Sequence, residues 1–514
     1  MDSQRTSPLS RNDFLLGLLI GIAALALYVR TLAPSLLWGD SAEFQTLSYT
    51  LGMTHPSGYM TQIVFGKLFT YIPIGNIAYR VNLMSAFFSA LAVAETYLIV
   101  RLLGGRQAAG ISACLLLALT EGFWWRALLA ESYAPASGML ATIWLLVLLW
   151  RNSGQWTYLF LAGAAGGLSV GIHSTVVMTS ASVLVFMALT ARKRADWFAA
   201  AAGALLGVVI TFSFFLYLDR HDPPSSIYNT VYRINLSAFG ISPDQFDTPL
   251  KRFFAIFPAN HFWSYFFSAS SGEITRRLVE YLSSVSLWAL VLMILGLVIL
   301  FRERTPEGLY PLIAFLIIWG FAITVSFSIY REFFVSVTVI TSVWFGLGAS
   351  ALSTLFERSL AQNQNIARAF QSVFMILLIV LPIWNARSDL IPAIRSGYPL
   401  FVKRDHIYPI FAPDKAISDA QKIIEQVEPD AIIFAPWDKL YSYIYTAQIE
   451  DGKMNISFHE AWSTEAEKLA DSAIAYIDQN LDTRPIYFTI YMPELIDRYR
   501  VEKIDDTLYR VYSK

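Results

Sequence analysis

Apolar residues in this chain run in long unbroken stretches, not in the two-residue alternation of a half-buried strand or the narrow stripe of a surface helix. A helix that crosses a hydrocarbon core needs about 20 such residues. By that measure the pattern predicts about eleven spans, near 13–32, 83–103, 107–123, 134–150, 156–174, 175–191, 197–218, 281–301, 309–329, 333–352 and 369–386. Only Gly171-Ile172-His173-Ser174 separates the fifth from the sixth. Two connections are too long to be simple links. Residues 33–82 mix Trp38, Phe44, Tyr49, Tyr59, Phe65, Phe69 and Tyr71 with few charges, which predicts short helices lying in the membrane interface. Residues 219–280 carry Pro223-Pro224, Trp263 and Phe266.

From Asp414 the pattern changes. The runs Ala431-Ile432-Ile433-Phe434 and Ile486-Tyr487-Phe488-Thr489-Ile490 have strand length and β-branched content, with an amphipathic helix expected over 461–480 between them. The expected fold class is an α-helical polytopic membrane protein with a small C-terminal α/β domain. Residues 1–386 form the transmembrane domain with the loops 33–82 and 219–280, and 387–514 form the α/β domain.

Composition agrees. Of 514 residues, 55% are hydrophobic and 15% charged, and the mean hydropathy is +0.48; soluble domains carry about a quarter charged residues. A formal net charge of -1 offers no basic face, so nucleic acid is excluded as a partner and membrane lipid is implied. The single Cys114 permits neither an intrachain disulfide nor a cysteine metal site. Arg5 and Arg11 precede the first apolar segment, and Arg30-Thr31-Leu32-Ala33-Pro34 follows it in place of a cleavage site, so retention as a first helix is expected. With the N-terminus cytoplasmic, Arg101, Arg106, Arg151, Arg192-Lys193-Arg194, Arg302, Arg304, Arg358 and Arg368 all fall inside, as the positive-inside rule requires. That orientation at the cell membrane makes loops 33–82, 124–133, 219–280 and 330–332, the turn at 173 and the C-terminal domain extracytoplasmic.

Polar side chains gather at that outer level. Asp40 and Glu43 lie in Trp38-Gly39-Asp40-Ser41-Ala42-Glu43-Phe44. Asp-x-x-Glu before a helix is the pattern of a capping box, with Asp40 as N-cap and Glu43 reaching back; a carboxylate fixed in this way also makes a good general base. His55-Pro56-Ser57-Gly58-Tyr59 reads as a turn beside them. Glu131 either ends a helix paired with Arg126 or joins the outer site, and His173 either caps a helix or faces a ligand. Arg331 pairs with Glu332 or offers a planar fork to phosphate; Arg80 is a second candidate for that role. Glu95 lies deep in the inner half of its span, where a pair with a basic group is expected. No metal motif, phosphate-binding loop or dinucleotide fingerprint is present. The paired carboxylates permit Mg²⁺ or Mn²⁺ without requiring either.

The order of these motifs, Trp38-Gly39-Asp40-Ser41-x-Glu43-Phe44, Leu51-Gly52-x-x-His55-Pro56-x-Gly58-Tyr59, Arg80-Val81-Asn82-Leu83-Met84-Ser85-Ala86, Ala130-Glu131-x-Tyr133, Gly171-x-His173-x-Thr175 and Arg331-Glu332-x-Phe334, resembles a GT-C-type membrane glycosyltransferase family. That family includes the animal transmembrane O-mannosyltransferase of plexin and related IPT domains, with many bacterial relatives. The resemblance implies a GT-C-like fold and transfer, usually with inversion, of a sugar from a polyprenyl-phosphate donor to an acceptor protein or glycan outside the cytoplasm. It implies Asp40 as catalytic base and Glu43 as its partner or an acceptor ligand. His55, Tyr59, Arg80, Glu131, Tyr133, His173 and Arg331 become substrate-binding candidates. Position 42 is Ala where many relatives have Gly, and position 57 is Ser where Pro is common. The competing class is a lipid or glycolipid transporter or flippase, although broken helices in matched positions of two halves are missing.

Overall fold

A computed structural model describes residues 9–258, 260–326, 330–359, 364–404, 412–461 and 468–514. Arg5 and part of the helix expected over 461–480 lie outside the described residues; the described helix there is Asp471–Asn480. Every expected span falls on a helix, but the helices differ in length. Among the described residues, seven are long and apolar enough to cross a membrane, and an eighth forms if Ser271–Ser284 and Leu287–Glu303, bent by 98°, are one span. The segments expected at 107–123, 156–174 and 175–191 are shorter: Gln107–Leu119, Trp156–Ser169, and a piece broken at Thr179 into Ser174–Met178 and Ser180–Thr190. The chain is a multi-pass membrane protein.

The chain divides into two compact units. One comprises Met1–Leu32, Ser85–Thr211 and Phe262–Arg404. At its centre Phe334–Ser359 buries nearly a whole face, packing on Leu287–Glu303, Gln107–Leu119 and Tyr133–Ser153. Small residues set the close approaches, because backbones can touch only where no side chain intervenes. Gly163 and Gly167 on Trp156–Ser169 lie against Ala200 and Ala204 of helix Arg194–His221, Gly167 meets Gly207 directly, and a Cβ added at Gly203 would stand 1.9 Å from the Phe160 carbonyl oxygen. Charged groups are paired: Glu307 accepts from Arg151 Nε at 3.0 Å, and Asp13 from Arg101 Nε at 2.7 Å. Among the described residues Glu95 has no basic partner; its Oε1 accepts from the Thr142 hydroxyl at 2.8 Å. The expected ion pair is thus replaced by a hydroxyl from a neighbouring helix.

The other unit comprises Ala33–Met84, Phe212–His261 and Asp405–Lys514. Its five-stranded sheet has the order β2-β1-β3-β5-β4, with β1 Ile432–Ala435, β2 Ser457–Glu460, β3 Ile486–Phe488, β4 Arg500–Lys503 and β5 Tyr509–Tyr512. β1 runs parallel to both neighbours, pairing Phe434 with His459 and Phe488, while β3–β5 and β4–β5 are antiparallel. Parallel strands need crossovers, supplied by helices Trp437–Ile444 and Asp471–Asn480. Ile432, Phe434, Ile477, Phe488, Leu495 and Val511 fill the core, joined by Ile234 from the long 212–261 segment. In the same unit, helices Gly39–Thr50 and Met60–Thr70 of the first long connection pack together. Gly66 makes that possible, since a Cβ there would lie 2.2 Å from Ser48 Oγ.

Candidate functional site

The helix Gly39–Thr50 begins where φ of Gly39 is +60°, with Trp38 as N-cap and no side-chain capping bond. The expected capping box therefore does not form. Glu43 turns instead to the following loop. Its Oε1 accepts the His55 backbone N–H at 2.8 Å, and its Oε2 bonds to His55 Nδ1. Glu43 is fully buried. Burial pushes its carboxyl above the ordinary range and outweighs the attraction of His55, with Asp40 adding a smaller push in the same direction. A buried carboxyl of this kind is stable only when paired, and both of its oxygens are taken by one residue.

The turn that delivers His55 closes with the Gly58 N–H donating to the His55 carbonyl at 2.8 Å, and Gly58 takes φ +93° where a side chain would be strained. Tyr59 is the N-cap of the helix Met60–Thr70. The rings of Phe44, His55 and Tyr59 form one cluster, with His55–Tyr59 centroids 4.9 Å apart and Phe44–Tyr59 5.2 Å apart, edge to face. Asp40, one turn before Glu43 on the same helix, is half-buried. Its Oδ1 accepts the Trp437 indole N–H at 2.9 Å. Trp437 also stands edge-on to His55 at 5.7 Å. It opens the helix that follows β1, and that helix lies along Gly39–Thr50: Lys439 Nζ sits 4.3 Å above the Trp38 ring, and Thr46 Oγ1 donates to the Tyr441 carbonyl at 3.2 Å. The structure thus brings Asp40, Glu43, His55 and Tyr59 together. Trp437 joins them although no local motif marks it, because its partner lies 397 positions earlier.

Arg80 does not join this cluster. Its guanidinium donates to the carbonyls of Thr70, Ile74 and Gly75 at 2.9–3.0 Å, closing the end of the helix Met60–Thr70. In the other unit, Tyr133 and His173 pack with centroids 4.8 Å apart, and Phe333 covers both. His173 is the N-cap of Ser174–Met178: Nδ1 accepts the Thr175 N–H at 3.2 Å, which leaves the ring proton on Nε2. Glu131 pairs with Arg126 at 3.7 Å. Arg126 also binds Glu332, so the expected Arg331–Glu332 pair does not form. Arg331 bonds to Glu280 at 3.2 Å instead, with its side chain 73% exposed. Beneath that turn lies Arg277, a buried cation 4.1 Å from the Tyr330 ring that composition and spacing did not single out. The same unit carries an apolar groove of about 540 Å³, lined by Ile20, Leu27, Ile111, Leu115 and Ile383, with Arg30 on its wall.

Glu43 gives both oxygens to His55, and among the described residues no group of three or more His, Cys, Asp or Glu side chains gathers around a point.

Residues 40–196 match the family model described as the N-terminal domain of the protein O-mannosyl-transferase TMEM260. The protein O-mannosyl-transferase TMEM260 of Mus musculus is 36% identical over 110 residues, 21% of this chain and 16% of the mouse protein. The protein of the same name from Dictyostelium discoideum is 23% identical over 128 residues, 24% of this chain and 16% of its own length. The chain thus matches only a small part of the length of these curated relatives. Among solved structures, ArnT from Cupriavidus metallidurans bound to undecaprenyl phosphate superposes with a TM-score of 0.58 at 14% identity, covering 98% of each chain. An Archaeoglobus fulgidus oligosaccharyltransferase, in complex with zinc and sulfate, gives 0.50 at 14% identity over 91% of this chain and 68% of that one. The resemblance read from the motifs is borne out, and the fold is similar to that of GT-C membrane glycosyltransferases.

Proposed function

We propose that the chain is a membrane glycosyltransferase that moves a sugar, mannose or another hexose, from a polyprenyl-phosphate donor to a protein Ser or Thr hydroxyl outside the cytoplasm, with inversion. The observation that carries this reading is Asp40: a half-buried carboxylate with one oxygen held by Trp437, on the stretch that matches the O-mannosyltransferase domain. Attack by the acceptor hydroxyl on the sugar's C1 forms the new C–O bond as the C1–O(phosphate) bond breaks. The hydroxyl proton passes to Asp40 Oδ2, and the phosphate leaves with the electron pair. Such a base contributes typically about 10²–10⁴-fold.

Other features support a lipid-borne donor. ArnT, of similar fold, is seen with undecaprenyl phosphate, and the apolar groove beside Arg30 suits an isoprenoid tail. Arg331, whose exposed guanidinium offers a planar fork to phosphate oxygens, and His173 are the candidates for binding the departing phosphate. The orientation with a cytoplasmic N-terminus belongs to the same proposal.

The test is transfer by the purified protein in lipid, using a panel of polyprenyl-phosphate sugars and exported acceptor proteins, with the product linkage read by NMR. The expected result is one sugar transferred with inverted anomeric configuration. Retention of configuration would overturn the single-base mechanism. Movement of labelled lipid across the bilayer without any transfer would replace the enzyme with a flippase.

A further inference from the structure

The C-terminal α/β domain supplies a group that touches the candidate base directly. Trp437 follows β1, the central parallel strand, after Pro436, which ends the strand by removing a ladder donor. In open sheets, functional groups collect beyond the carboxyl ends of parallel strands, and Trp437 stands there. Its indole has one polar atom, Nε1–H, and that atom donates to Asp40 Oδ1 at 2.9 Å. The ring is itself fixed, edge-on to His55 at 5.7 Å and to Tyr441 at 5.5 Å. Tyr441 is held in turn by Thr46 at its carbonyl and by Thr230 at its hydroxyl.

We infer that Trp437 is a positioning residue for catalysis: by binding Oδ1 it fixes the rotamer of Asp40 and directs Oδ2 toward the acceptor hydroxyl. This inference rests on Asp40 being the base. A carboxylate on a half-exposed helix turn otherwise samples several rotamers, and misplacement by about 1 Å can cost about a hundredfold in rate. An indole suits the task because it donates one hydrogen bond and cannot take the proton itself. The C-terminal domain then contributes a residue to the catalytic centre.

The test is Trp437→Phe, which keeps a ring and removes the N–H. The expected result is a fall in kcat of about ten- to a hundredfold, with KM for the lipid donor and the melting temperature unchanged. A second readout does not depend on the reaction. In ¹⁵N-tryptophan-labelled protein, the indole resonance lost in Trp437→Phe is expected to shift in Asp40→Ala, because its acceptor is gone. Wild-type kcat in Trp437→Phe, or an indole resonance unmoved by Asp40→Ala, would overturn the positioning role. Absence of transfer in the wild type with every donor, alongside a shifted resonance, would overturn the glycosyltransferase reading while leaving the contact in place.

Discussion

Three ionisable side chains in the sheet-bearing unit show how burial decides what each can do. Glu43 is sealed in and bonded at both oxygens to His55, so it is built to hold the loop at His55, whereas Asp40 keeps an oxygen for chemistry. His459 is the third. Its Nδ1 faces the Asn229 carbonyl at 3.0 Å, so that nitrogen must carry the proton, and Nε2 accepts from the Tyr476 hydroxyl at 3.3 Å. Burial pushes its pKa down from 6.5 to about 4, so the folded state keeps the ring neutral while the unfolded chain charges it. The stability it contributes is complete above about pH 6.5 and is lost as pH falls toward 4, up to about 3 kcal/mol over that window. Thermal unfolding of the full protein from pH 7 to 4 should show this loss, and His459→Gln should flatten that part of the profile; an unchanged profile in the variant would contradict it. Asp40 and Glu43 were legible from their motif, but their bonds were not. The capping-box spacing is met, yet His55 offers Glu43 a buried partner, which the exposed end of a helix cannot match.

Helix packing in the membrane-spanning unit depends on residues too small to contribute hydropathy. The Gly163/Gly167 and Gly203/Gly207 pairs let two helices meet backbone to backbone, the packing expected where lipid gives no hydrophobic drive to associate. Gly203→Ala places its Cβ against the Phe160 carbonyl and should destabilise by about 1–3 kcal/mol. Gly166→Ala, on the same helix pair with open space around it, should leave the melting temperature in bicelles unchanged. Equal effects from the two variants would mean that this contact does not hold the helices. The spans were legible as apolar runs, and the helices lie where those runs are. Their ends were not, because hydropathy averages over the polar punctuation that stops a helix. Thr120 takes an extended conformation after Leu119, and the helix after His173 breaks at Thr179.

At the scale of the whole molecule, the fall in hydropathy near residue 387 marks a change of composition, whereas compactness groups segments that are remote in sequence. The two helices at 39–70, the 212–261 segment and the C-terminal sheet share one compact unit. Ile234 enters the core of the sheet domain, Ser237 Oγ bonds to Ser472 Oγ at 2.9 Å, and Trp437 reaches Asp40. Strand and helix patterns made the α/β character of the C-terminal domain readable. Its contact with the first loop was not, since nothing local in Pro436-Trp437-Asp438 distinguishes a site residue from a core aromatic. Asp40 is where these levels meet, through a motif, a helix turn and a domain contact. The direct measurement is single-turnover sugar transfer by wild type and Asp40→Asn in the same lipid, with donor affinity measured in parallel. The account predicts that transfer falls by at least about 10² while donor affinity and melting temperature stay at wild-type values. Transfer by Asp40→Asn at the wild-type rate would contradict it.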